Sequence, residues 1–162
     1  MSTIFSENPT WAIGIVVILF GIIAAHRLSS YRDRKNTFNK AAKEFSDTFH
    51  QELKEVYPIT ANWPKNIDYY LRARFDNLSA AVGTFKSHLP ENQQILFVDT
   101  WFHFYCCTGR DADRNCQCYQ HYEPFTGISF DGDKEIYHDN TQTYKDDFRH
   151  NVDALLEFTK QK

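Results

Sequence analysis

Trp11 to Ala25 reads WAIGIVVILFGIIAA, fifteen residues without a charge or a proline. With Thr10 and the flank to Leu28 the run reaches about 19 residues, or about 28 Å of helix, close to the hydrocarbon thickness of a bilayer. Asn8-Pro9 has the form of an N-cap followed by proline in the first turn. Trp11 stands where an interfacial aromatic belongs. The stretch therefore reads as a transmembrane anchor over residues 10–28, with a short extracytoplasmic tail at 1–9 and a soluble domain at 29–162.

Two rival readings are weaker. A buried core helix would have to be apolar on every face at an extreme terminus. A cleaved signal peptide needs a basic leader, whereas residues 1–10 carry only Glu7. The cations lie after the apolar run instead: Arg27, Arg32, Arg34 and Lys35. Lys and Arg stay on the cytoplasmic side, so the expected topology is N-terminus outside and C-terminal domain in the cytoplasm. These cations also suit anionic headgroups, although topology alone accounts for them. Gly21 and Ala25 form a single small-xxx-small pair, weak support for helix pairing.

Beyond the anchor, Phe38, Ala41, Ala42, Phe45, Phe49, Leu53 and Val56 recur at helical steps. Pro64 opens a second stripe, Ile67, Leu71, Phe75, Leu78, Val82, Phe85 and Leu89, read as one helix. Gly83 inside it implies close packing. Pro90 opens a third helix, Gln93 to about Cys107, aromatic on several faces. A last helix from about Thr141 to Lys160, capped by Asp139, Asn140 or Thr141, carries Tyr144, Phe148, Val152, Leu155 and Phe158. Between them, residues 108–140 show no steady period and read as a long irregular insertion. Phe125–Phe130 and Glu135–Tyr137 are candidates for a short hairpin. The expected fold is mainly α: a transmembrane helix, then an antiparallel bundle of about four helices with this insertion before the last.

The pattern Phe38-x-x-Ala41-x-x-x-Phe45-x-x-x-Phe49-x-x-x-Leu53, Tyr70-Leu71, Phe85-x-x-x-Leu89, Phe97-x-x-x-Trp101-x-x-x-Tyr105 and Asp153-Ala154-Leu155-Leu156-x-Phe158 resembles a group of small uncharacterised bacterial helical proteins. Some of these begin with a membrane helix. The resemblance implies a bacterial inner membrane and no assigned activity. The cysteine-bearing insertion departs from the group.

Composition narrows the function classes. The chain has 162 residues, 14 Phe, only 6 Gly and 5 Pro, which disfavours a turn-rich β-sandwich. Mean hydropathy is −0.56 despite the apolar run, so the remainder is polar. Net charge is −3, with +2 in residues 1–35 and hence −5 in the rest. An acidic domain lacks the basic footprint of a nucleic-acid binder. No nucleophile elbow or phosphate-cradling glycine loop occurs. His50 with Glu52, and His150 with Asp153, are pairs that chance places on solvated helix faces.

The one compositional oddity is FHFYCCTGRDADRNCQCYQHY, which holds all four cysteines, Cys106, Cys107, Cys116 and Cys118, flanked by His103 and His121. Thiolate and imidazole are ligands that zinc prefers, so these six residues are the candidate metal set. Adjacent Cys106-Cys107 diverge on a helix, and Cys116-x-Cys118 is tighter than common zinc spacing. Disulfides are a second reading and need an oxidising compartment. Ordinary reduced thiols are a third, and no other cofactor is implied. Asp111-x-Asp113-x-Asn115 starts like a calcium loop but fails at Cys116, where glycine is required, and at Tyr122.

The expected function is that of a non-enzymatic, membrane-tethered subunit that binds another protein or itself. Tyr119, Tyr122 and Phe125 of the insertion are its expected contact aromatics. The alternative is a metal or thiol sensor built on the cysteine loop.

Overall fold

The structure, a computed structural model, describes residues 10–59, 62–106, 119–131 and 134–160. The chain divides into two compact units, residues 1–38 and 39–162. Helix α1 runs without interruption from Thr10 to Glu52, through the boundary expected between residues 28 and 29. Ser30 Oγ lies 3.5 Å from His26 Nδ1, one turn back, and remains within the helix.

Of the first unit, the described side chains begin at Val17. Val17, Ile18, Leu19, Phe20, Ile22, Ile23 and Leu28 are all exposed, Phe20 at 71%. Among the described residues no helix is long and apolar enough to cross a membrane. The described apolar side chains, Val17 to Leu28, span about 18 Å of axis, short of the hydrocarbon thickness. The rest of the expected 10–28 anchor has side chains outside the described ones, and so does the whole 1–9 tail.

The second unit is built from the remaining helices: α2 (Ile67–Arg72), α3 (Phe75–Lys86), α4 (Glu91–Tyr105) and α5 (Tyr144–Glu157). Its core is aromatic. Phe45 of α1 packs on Phe49, Phe85 and Phe97, with centroids 4.6, 4.8 and 5.6 Å apart. Phe49 reaches Trp101 and Phe104, and Phe104 reaches Phe148. These are the edge and offset contacts that ring quadrupoles favour, and they follow the periodic stripes of the sequence. The connector before α2 is held by Trp63, whose ring meets Tyr144 and Phe148 edge-on at 5.6 and 5.3 Å.

The single helix expected over 67–89 is two, and Arg74 is the reason. In an unbroken helix the Arg74 N–H would bond the Tyr70 carbonyl. Here the Arg74 guanidinium Nη1 takes that carbonyl at 3.0 Å, and the backbone N–H moves to Leu71 at 3.1 Å. The same guanidinium lies 3.6 Å from the Tyr70 ring centroid and donates through Nε to the Glu52 carbonyl at 2.9 Å. Tyr70 OH donates to that carbonyl as well. Both donors satisfy a carbonyl at the end of α1 that has no partner within its own helix. The α2 start is also later than Pro64, because Asn66 caps it, accepting from Tyr69 N–H at 2.7 Å.

Gly83 does not mark a close approach. A Cβ there would meet nothing within 4 Å, and the position is exposed. The described part of the insertion, residues 119–131 and 134–140, holds more regular structure than its aperiodic sequence implies. Gln120–Tyr122 form a 3-10 turn, and β1 (Thr126–Asp131) pairs antiparallel with β2 (Lys134–Asp139), Ile128 opposite Tyr137. β1 is shifted one residue later than the expected Phe125–Phe130, and β2 extends the expected Glu135–Tyr137 at both ends. α5 begins at Tyr144, three residues later than expected, because Thr141 is engaged elsewhere: Asp139 Oδ1 accepts from both its N–H and its hydroxyl.

Candidate functional site

The segment that carries most of the cysteines is bounded by two buried positions. Cys106 is buried just past the end of α4. Tyr119 is buried where the described chain resumes, and its N–H donates to Asp68 Oδ1 at 3.1 Å. Cys107, Cys116 and Cys118, and with them the calcium-like Asp111-x-Asp113-x-Asn115, lie outside the described residues. Of the other expected ligands, His103 is exposed on α4, and His121 is half-buried with its ring 3.8 Å from that of Tyr122. Among the described residues no group of three His, Cys, Asp or Glu is placed to hold a metal ion.

Tyr119 and Tyr122 are not surface aromatics. Both are fully buried, packed around Phe104 at 5.9 and 6.0 Å, and Tyr122 meets Phe148 edge-on at 5.1 Å. Tyr122 OH donates to the Phe104 carbonyl at 3.0 Å and accepts from Asn151 Nδ2 at 2.9 Å. A buried phenol with both roles satisfied adds specificity without the desolvation cost of an unpaired hydroxyl. Burial pushes both phenols well above their ordinary range, the neighbouring Asp68 adding to Tyr119, while the Asn151 bond opposes the rise at Tyr122. Their three-residue spacing was the signal for a shared buried face, and the aperiodic residues around them hid it.

Asn140 organises the base of the hairpin. Its Oδ1 accepts from Phe125 N–H at 2.7 Å, and its Nδ2 donates to the carbonyls of His121 and Glu123 at 3.1 and 3.0 Å. Its carbonyl accepts from Thr143 and Tyr144 N–H, at the start of α5. One residue, through its side-chain amide and its backbone carbonyl, thus joins the 3-10 turn, the hairpin and the last helix. Its sequence context suggested a helix cap, and nothing local distinguishes that role from this one.

Three surfaces stand out. The apolar residues of α1 are followed by an open groove of about 290 Å³ lined by His26, Arg27, Ser30, Tyr31 and Arg34. A second open groove, about 440 Å³, lies between α1 and α3, with Glu44, Thr48, Gln51, Asn77 and Thr84 among its lining. On the hairpin, Phe125, Ile128 and Tyr137 are exposed, Tyr137 at 67%. The Phe125 ring covers Gly127 so closely that a Cβ there would overlap it.

Comparison with known proteins finds no matching family model, no matching curated protein and no matching solved structure.

Proposed function

We propose that the chain is a single-pass membrane protein, its N-terminus outside and its helical domain in the cytoplasm. In this reading it serves without catalysis as an interaction partner or a subunit of a membrane complex. The observation that carries the reading is the exposed apolar surface of α1. Val17, Ile18, Leu19, Phe20, Ile22 and Ile23 point in every direction around the axis, so no single packed neighbour would cover them. Lipid on all sides would. The uncharged sequence before Val17 lengthens the run to a spanning one, and the cations after it supply the cytoplasmic flank.

The non-catalytic part is supported by how the described polar groups are used. Arg74, Tyr70, Tyr122, Asn140 and Asn151 each hold the fold together rather than converge on a cleft. The hairpin aromatics Phe125 and Tyr137, with Ile128 opposite Tyr137, are the surface we assign to a protein partner. The short links between α2 and α3 and between α3 and α4 suit an antiparallel bundle as the scaffold for it.

Membrane fractions expressing the full chain, fused at its C-terminus to a reporter active only in the cytoplasm, test the reading. Retention after alkaline carbonate washing together with reporter activity is the expected result. Release by carbonate would reject the anchor. Retention with a silent, externally accessible reporter would reject the orientation and favour disulfides among the four cysteines.

A further inference from the structure

Two of the four cations after the apolar run share a face with two hydroxyls. Arg27 and Arg34 are seven residues apart, which places them within about 20° of each other around the helix axis. Ser30 and Tyr31 lie between them, and with His26 these five side chains line the open groove of about 290 Å³. Arg32 is turned about 140° from Arg27, and Lys35 about 80°, and neither lines the groove.

We propose that this groove binds the headgroup of an anionic phospholipid at the cytoplasmic face, an inference that rests on the membrane reading above. The two guanidiniums approach one phosphodiester from two turns of the helix, each with a donor fork matched to phosphate oxygens. The hydroxyls of Ser30 and Tyr31 add donors between them. A zwitterionic headgroup would set its ammonium against the second guanidinium, so the charge of the groove selects an anionic lipid. Asp33, the one carboxylate in residues 26–35, is not part of the lining. The groove starts at His26, beside Leu28 where the apolar run ends, at the depth where lipid phosphates lie. Tyr31, exposed and amphipathic, suits the same level.

The test uses the full chain in nanodiscs of phosphatidylcholine with a minor fraction of phosphatidylglycerol, and native mass spectrometry to identify lipids retained by the ejected protein. Discs remove topology from the comparison. The wild type is expected to retain phosphatidylglycerol above its share of the bilayer. Arg27→Gln with Arg34→Gln should reduce that enrichment by about fivefold or more. Arg32→Gln with Lys35→Gln, which removes the same charge, should keep most of it. Equal losses in the two double variants would overturn the site in favour of diffuse attraction. So would displacement of the lipid by inorganic phosphate in the buffer, which would identify a free-anion site. A wild-type chain that fails to enter discs would reject the membrane reading itself, whereas entry without enrichment would reject the headgroup site alone.

Discussion

Tyr57 OH donates a 2.6 Å hydrogen bond to Asp153 Oδ1, closing a contact across 96 positions of the chain. It ties the turn after α1 to the exposed side of α5. The phenol ring is buried while the carboxylate faces outward, so the bond forms at the edge of the core. Tyr57→Phe removes the donor and keeps the ring. It should cost about 1.5–2 kcal/mol, the low end of the range for a bond to a charged group, because the carboxylate is exposed. Asp153→Asn should cost less, because an amide oxygen still accepts. A double-mutant cycle by urea denaturation checks this, and independent, additive costs would deny the coupling.

The same phenol contributes to pH dependence. Burial, then the Asp153 bond and its charge, pushes Tyr57 from the ordinary 10.0 up to about 12. Burial likewise raises Tyr70, Tyr119 and Tyr122. A raised folded pKa means that the unfolded chain loses its proton first. The stabilisation is complete below about pH 10 and is lost as pH rises toward about 12. Thermal melts should therefore fall steeply above pH 10. Tyr57→Phe should flatten part of that fall, and an unchanged alkaline slope would remove Tyr57 from the account.

Asn140→Ala should be more costly than a surface truncation. It leaves the His121 and Glu123 carbonyls and the Phe125 N–H without their side-chain partner. About 2 kcal/mol is expected, with faster hydrogen exchange concentrated in β1 and β2. Asn140→Asp should recover the Phe125 bond and lose the other two. Exchange rates unchanged in the hairpin would show that strand pairing alone holds it.

Gly83→Ala should stabilise the protein, by up to about 1 kcal/mol. The added methyl meets open space, and the residue lies inside α3. Replacement by valine should gain less, since β-branching costs rotamer freedom in a helix. A destabilised alanine variant in chemical denaturation would contradict the open environment of that position.

His103 is exposed and Cys106, just past the end of α4, is buried, so the two face different surroundings. His103→Ala is expected to change stability by less than about 0.5 kcal/mol. The zinc content of protein purified under reducing conditions should be the same for His103→Ala as for the wild type. Stoichiometric metal, with stability lost on chelation, would turn attention to Cys107, Cys116 and Cys118 as its ligands.

Helical structure was legible where apolar residues recur at steps of three and four, though the break within the 67–89 stripe was not, and the buried set Phe45, Phe49, Leu78, Val82, Phe85, Phe148 and Val152 follows that pattern. The hairpin was legible in outline from the two apolar runs on either side of Gly132. Periodicity is local, so one sequence carries it. The apolar character of residues 11–25 and the cations behind them belong to the sequence in the same way.

What the sequence left open required distant partners. Tyr119 and Tyr122 read as surface aromatics until Phe104 and Phe148 close around them, because nothing in an aperiodic segment marks which side is inward. The break between α2 and α3 depends on a guanidinium reaching the end of another helix, and no propensity records that reach. Asn140 offers the same amide to a helix cap or to three backbone groups in the 121–125 stretch. Only the packed chain, by bringing those groups within hydrogen-bond distance, decides between them.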